Sequence, residues 1–194
     1  TPSGMAYEDI RPEDVVYKRI DGDYESPNGL RKPSSEWRFH EDIFVARDDV
    51  EAIVHTHGKA VMTIACMRKD VPAFHYMIGV TGGQTIRCAP YETFATQALS
   101  DVAVKALKGR KACLLANHGQ IAVGGNLKQA LSMALDASAL AELFSATSAV
   151  DMPVSLAGFS ATSSSAVVFV LPYPERSASP TSDCLSAPTS LPPS

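Results

Sequence analysis

The chain has 194 residues, long enough for one well-buried core and within the usual span of a single domain. Seventeen basic against 21 acidic residues leave a net charge of -4, which offers no broad attraction for nucleic acid or anionic lipid and favours a small-molecule partner. Cys66, Cys88, Cys113 and Cys184 lie far apart without a Cys-x-x-Cys pair, no apolar run approaches the ~20 residues of a membrane span, and no secretory signal opens the chain. A soluble, cytoplasmic protein with reduced thiols is expected.

In chain order, residues 17–21 read as a strand running into the turn Asp21-Gly22-Asp23. Residues 34–46, with Pro33 ahead of them, read as a helix burying Trp37, Ile43 and Phe44. Residues 53–57 are a strand, 59–68 a short helix, and 85–88 and 112–116 further strands bounded by glycine or proline. Between the last two, residues 94–107 form a helix with Leu99, Val102, Ala103 and Ala106 on one side. A longer helix, 127–144, repeats Leu127, Ala130, Leu131, Ala134, Leu135 and Leu140 at helical intervals. Two parts result: a folded domain over 1–148 and a tail over 149–194. Six prolines and eight Ser/Thr crowd residues 171–194, a composition expected to be disordered, while the apolar run 166–170 fits either an edge strand or an exposed sticky segment. Thr1 in place of an initiator methionine is read either as a start partway into a larger unit or as the result of trimming.

Chemistry concentrates at histidine. In His55-Thr56-His57 the two-residue repeat of a strand sends both imidazoles to one face. A second apolar run ends in Asn117-His118-Gly119, where glycine relieves the turn. Three imidazoles with room left for substrate are how catalytic zinc is commonly held. Of the five histidines, only His40 and His75 lie elsewhere. Glu36 stands in the first turn of its helix, where a carboxylate complements the helix dipole; beside a trihistidine cation it acquires a second use, as a base in aldol chemistry. Hydroxyls and backbone N–H groups at Thr1-Pro2-Ser3-Gly4 and Pro33-Ser34-Ser35 are candidates to hold phosphate. Thr81-Gly82-Gly83 lacks a P-loop lysine or a dinucleotide fingerprint, so no nucleotide cofactor is expected.

Together these motifs resemble the class II aldolase and adducin family, over residues 1 to about 148. Thr-Pro-Ser-Gly at 1–4, Pro-Ser-Ser-Glu-Trp-Arg-Phe-His at 33–40, Val-His-Thr-His at 54–57, Pro-Ala-Phe-His-Tyr-Met-Ile at 72–78, Cys-Ala-Pro-Tyr at 88–91 and Asn-His-Gly at 117–119 fall in the family's order. The resemblance implies an α/β fold of three layers, a central and mainly antiparallel sheet flanked by helices. It implies His55, His57, His118 and Glu36 as zinc ligands, with Glu36 as acid/base, and Ser3, Gly4, Ser34 and Ser35 as phosphate-binding residues. Tyr76 matches a tyrosine that reaches a neighbouring subunit's site, which implies a homotetramer with sites between subunits. The implied reaction is cleavage of a ketose 1-phosphate, such as L-fuculose 1-phosphate, to dihydroxyacetone phosphate and L-lactaldehyde.

Within the family, a sugar-phosphate epimerase or dehydratase is the nearest alternative; Phe74-His75-Tyr76-Met77-Ile78 stands where an epimerase would carry Thr-His-Ala-Asp-Tyr-Phe, which favours the aldolase. A non-catalytic, adducin-like interaction module is the alternative of another class, and retention of three histidines and Glu36 argues against it. The family's opening helix and a Gly-Asn-x-Ser-x-Arg stretch are expected upstream of Thr1, leaving a sheet edge here without its neighbour. The resemblance also implies a helical C-terminal segment carrying another tyrosine, and the Pro/Ser/Thr tail over 149–194 does not match it.

Overall fold

The computed structural model describes residues 1–20, 22–150 and 167–170, so Asp21 and most of the tail lie outside the described residues. Five strands form the central sheet in the order β4-β5-β6-β3-β7. They are β3 (Ala52–Thr56), β4 (Arg87–Ala89), β5 (Ala112–Leu115), β6 (Gly119–Gly124) and β7 (Val167–Val170). Only β4 and β5 run parallel; every other neighbouring pair is antiparallel. A short hairpin, β1 (Tyr17–Lys18) and β2 (Tyr24–Glu25), stands apart from the sheet. The apolar run near residue 170 is thus an edge strand, set against β3 with His55 opposite Val168.

Both faces of the sheet are covered, which is why its strands read as continuous apolar runs. Alternation along each strand splits the core in two. Ala52, Val54, Ala112, Leu114 and Ala122 face α2 (Lys59–Cys66) and α4 (Leu127–Val150). Ile53, Cys113, Leu115, Ile121 and Val123 face α1 (Trp37–Ala46) and α3 (Gln97–Ala106). Three layers with a mainly antiparallel centre follow directly from this two-residue period.

Two sequence expectations change. The buried stripe of α4 is Ala130, Met133, Ala134, Ala137, Leu140 and Ala141, while Leu127 and Leu135 are exposed. Alanines bring the helix close to the sheet, and in a helix apolar on several sides the larger residues need not mark the packed face. Trp37, expected in the core, is half-buried with Lys18 Nζ 4.5 Å and the Arg38 guanidinium 4.7 Å from its ring. Lys18 also pairs with Glu41 at 2.6 Å, so the hairpin is pinned to the first turns of α1.

Candidate metal centre

β3 lies between β6 and β7, and its C-terminal end delivers His55 and His57 to the α1 side of the sheet. His55 is fully buried, and Phe39 of α1 meets its ring edge-on at 5.2 Å. The tight turn from β5 to β6 brings His118 alongside, its ring 5.0 Å from that of His55 and 4.9 Å from that of His57. Glu36 arrives from the opposite side, at the N-cap of α1.

A carboxylate at an N-cap ordinarily accepts an N–H bond from its own helix. Glu36 makes no such bond. Its Oε2 lies 3.2 Å from His55 Nε2 and its Oε1 3.2 Å from His118 Nε2. Capping passes to Ser34, whose Oγ accepts from the Glu36 N–H and whose carbonyl accepts from the Trp37 N–H.

The donor set fits a divalent cation. One ligand atom from each of Glu36, His55, His57 and His118 lies within 4.8 Å of all the others. His55 Nδ1 donates to Gln120 O at 2.8 Å, which fixes the tautomer and leaves Nε2 with an inward lone pair. That lone pair faces His57 Nε2 at 2.8 Å and a carboxylate oxygen at 3.2 Å. Nitrogen and oxygen atoms converging this closely are held together by shared protons or by a cation among them, and a tetrahedron with ~2.0–2.1 Å bonds has edges of about 3.3 Å. Glu36 Oε1, buried and without a hydrogen bond, completes the set.

Electrostatics agree. Burial acts to raise the Glu36 carboxyl, but His118 and His55 beside it outweigh burial and hold it well below the usual carboxylate range. Burial, then the neighbouring His55 and His118, push His57 down to about 4, so its imidazole is neutral and able to bind a cation near neutral pH.

The phosphate candidates are also brought together. Ser3 N–H donates to Lys32 O and Ser34 N–H to Thr1 O, both at 2.9 Å, so residues 1–4 lie against the segment that opens α1. Gly4 turns with φ +70°, and Ser3, Gly4 and Ser35 are exposed. Tyr76 is not brought to the cluster. It stands 84% exposed at the start of a 3-10 turn, Tyr76–Thr81, against His75.

Three features escaped the sequence reading. The residue with left-handed backbone in the turn before β6 is Asn117, at φ +57°, rather than Gly119. Gly119 is needed for space: a Cβ there would fall against Thr56 O and 2.6 Å from His57 Cδ2. Gln120, 1% exposed, holds His55 through its carbonyl, while its Nε2 lies 2.8–2.9 Å from Thr56 Oγ1, Ala134 O and Ser138 Oγ. A polar residue in an otherwise apolar strand was the available signal.

Known proteins resemble this chain in sequence and fold. The profile of the Class II Aldolase and Adducin N-terminal domain matches residues 1–144. A 5-methylthioribulose-1-phosphate/5-deoxyribulose-1-phosphate aldolase of Rhodospirillum rubrum is 49% identical over 144 residues, covering 74% of this chain and 64% of the relative. An L-fuculose phosphate aldolase of Escherichia coli (strain K12) is 43% identical over 154 residues, covering 79% and 70%. The solved structure of an L-fuculose 1-phosphate aldolase superposes with a TM-score of 0.74 at 39% identity, over 81% of this chain and 73% of that one. The chain therefore spans about two thirds of the length of the curated relatives it matches. A profile match over most of its length, with relatives 43–49% identical and a superposable solved fold, shows that this chain belongs to the class II aldolase and adducin family.

Proposed function

We propose that this chain carries the centre of a zinc-dependent aldolase that splits a ketose 1-phosphate into dihydroxyacetone phosphate and a short aldehyde. One observation carries the reading: Glu36 leaves its helix cap and turns its carboxylate into a cluster of three imidazoles. A cation held by His55, His57 and His118 would supply the positive charge that stabilises negative charge developing on the substrate's ketone and hydroxyl oxygens.

The chain's own residues supply the rest. In the condensation direction Glu36 takes a proton from the carbon alpha to the ketone and the aldehyde oxygen takes one up as the carbon–carbon bond forms; in cleavage the hydroxyl beside that bond loses its proton, the bond opens to the aldehyde and a carbanion, and Glu36, having taken up a proton, delivers one to the alpha carbon. The imidazoles beside it keep its carboxyl ionised near neutral pH, so it carries no proton of its own before the reaction begins. Ser34 Oγ accepts the Glu36 N–H and so retains its own proton to donate to a phosphate oxygen. Ser3, Ser35 and the Gly4 backbone would complete the phosphate site at the mouth of α1, where the helix dipole favours an anion. Tyr76, exposed on its 3-10 turn, fits a proton donor to the aldehyde oxygen in a neighbouring subunit of a homotetramer.

L-Fuculose 1-phosphate, giving L-lactaldehyde, is the substrate that the family motifs favour. The 49% identical relative supports a second reading within the same chemistry, a 5-deoxy- or 5-methylthio-ribulose 1-phosphate. The test is metal analysis of the purified chain together with cleavage assays on both substrates, with Glu36→Gln as control. Zinc at one per chain is expected, with cleavage that falls ~10²–10⁴-fold in Glu36→Gln while the metal stays. Cleavage indifferent to that change would remove the proposed base, and a chain without bound metal would remove the centre.

A further inference from the structure

His118 stands apart from His55 in how it is held. His55 is fixed by the bond from its Nδ1 to Gln120 O, whereas among the described residues no hydrogen bond reaches the His118 ring nitrogen that faces away from Glu36. Backbone placement must therefore aim the His118 ring. The residue before it, Asn117, has left-handed backbone at φ +57°, and Arg68, just past the end of α2, has the same at φ +55°. Residues with a Cβ persist in this region only where their surroundings over-determine them.

Three bonds tie these two residues together. Ala65 O accepts the N–H of Arg68 and the N–H of Asn117, each at 3.0 Å. Arg68 Nε donates to Asn117 Oδ1 at 2.8 Å. The guanidinium also lies 5.8 Å from the centre of the Tyr91 ring. A single carbonyl at the end of α2 thus anchors both left-handed residues, and one side-chain bond closes the triangle directly behind His118.

We propose that Arg68 and Asn117 are a positioning pair for His118, clamping the turn so that its imidazole meets the cation at the required angle. This rests on the reading of His118 as a metal ligand. The simpler role for Arg68 is to terminate α2, a job for which glycine is the preferred residue at the left-handed position. The two roles predict opposite behaviour. If Arg68 only ends the helix, Arg68→Gly relieves backbone strain and leaves metal binding untouched. If it is part of the clamp, Arg68→Gly keeps or raises the stability of the metal-free protein yet loosens the metal site.

The experiment uses the full chain, freed of metal and titrated with Co2+ alone against a chromophoric chelator, with the visible spectrum of the Co2+ complex as the report on ligand geometry. Arg68→Gly and Asn117→Gly should each weaken Co2+ binding ~10-fold and alter the spectrum, with unchanged or higher thermal midpoints before metal is added. The double variant should be no weaker than either single one, because both remove the same link. Wild-type affinity and spectrum in Arg68→Gly would overturn the positioning role while leaving the metal centre standing. Failure of the unaltered chain to bind Co2+ would overturn both.

Discussion

The centre is assembled from two unlike halves. His55 lies on β3, a strand hydrogen-bonded on both sides by β6 and β7, and His57 follows directly after its last residue, so their spacing continues the strand's own period. Glu36 and His118 come from a helix entry and a tight turn, each placed by a few local bonds. A ladder of backbone bonds tolerates side-chain changes that a turn does not. The strand half should therefore fail only when a ligand itself is lost, and the turn half should fail on small changes next to a ligand.

Loss of a ligand is the largest expected effect. His57→Ala should abolish both metal binding and cleavage while the sheet remains folded, as metal analysis and circular dichroism would register; a variant with stoichiometric metal and normal turnover ends the assignment. Next comes the turn half. Gly119→Ala forces a methyl group against Thr56 O and the His57 ring, so it should lower stability by about 3 kcal/mol and strip the metal, read by denaturant titration and metal content. Wild-type stability in that variant would mean that the turn yields easily, and the contrast between the halves would collapse.

Acid should act on the metal-free protein in a defined window. Burial and its neighbouring imidazoles depress His57 from the ordinary 6.5 to about 4, and burial holds His40 well below the same value. Above pH 6.5 both are neutral folded or unfolded, and stability is complete. As the pH falls from 6.5 towards 4 the unfolded chain takes up protons that the folded one refuses, so the denaturation midpoint should drop steadily across that range. A flat profile there would show that both rings take up protons in the fold as readily as in the unfolded chain. The smallest effect belongs to Gln120→Leu. It leaves Thr56 Oγ1, Ser138 Oγ and Ala134 O without the amide but keeps the carbonyl that holds His55, so about 1–2 kcal/mol of stability should go and metal binding should stay.

The same contrast explains what could be read from the sequence. β3 and β5 announce themselves as apolar runs because both of their faces are buried, and the His-x-His spacing follows from a period that any strand enforces. The partners of Glu36 do not follow from local rules. As an N-cap carboxylate it belongs by propensity to its own helix, and only the tertiary fold turns it towards His55 and His118; a candidate trihistidine site elsewhere in the chain was what gave it a second use, and the resemblance of the surrounding motif supported it. β6 went unread because its six residues begin and end in glycine and carry Gln120 in second place, leaving only three consecutive apolar residues. On α4 the alanines face the sheet while Leu127 and Leu135 face out, since close approach to the sheet is worth more than the bulk of any one side chain.

Gln120 joins the outer helix layer to the metal centre within one residue. Its amide donates to Ala134 O and Ser138 Oγ on α4, and its carbonyl accepts from His55 Nδ1. The packing of α4 on β6 and the tautomer of one buried imidazole are therefore specified at the same position in the chain.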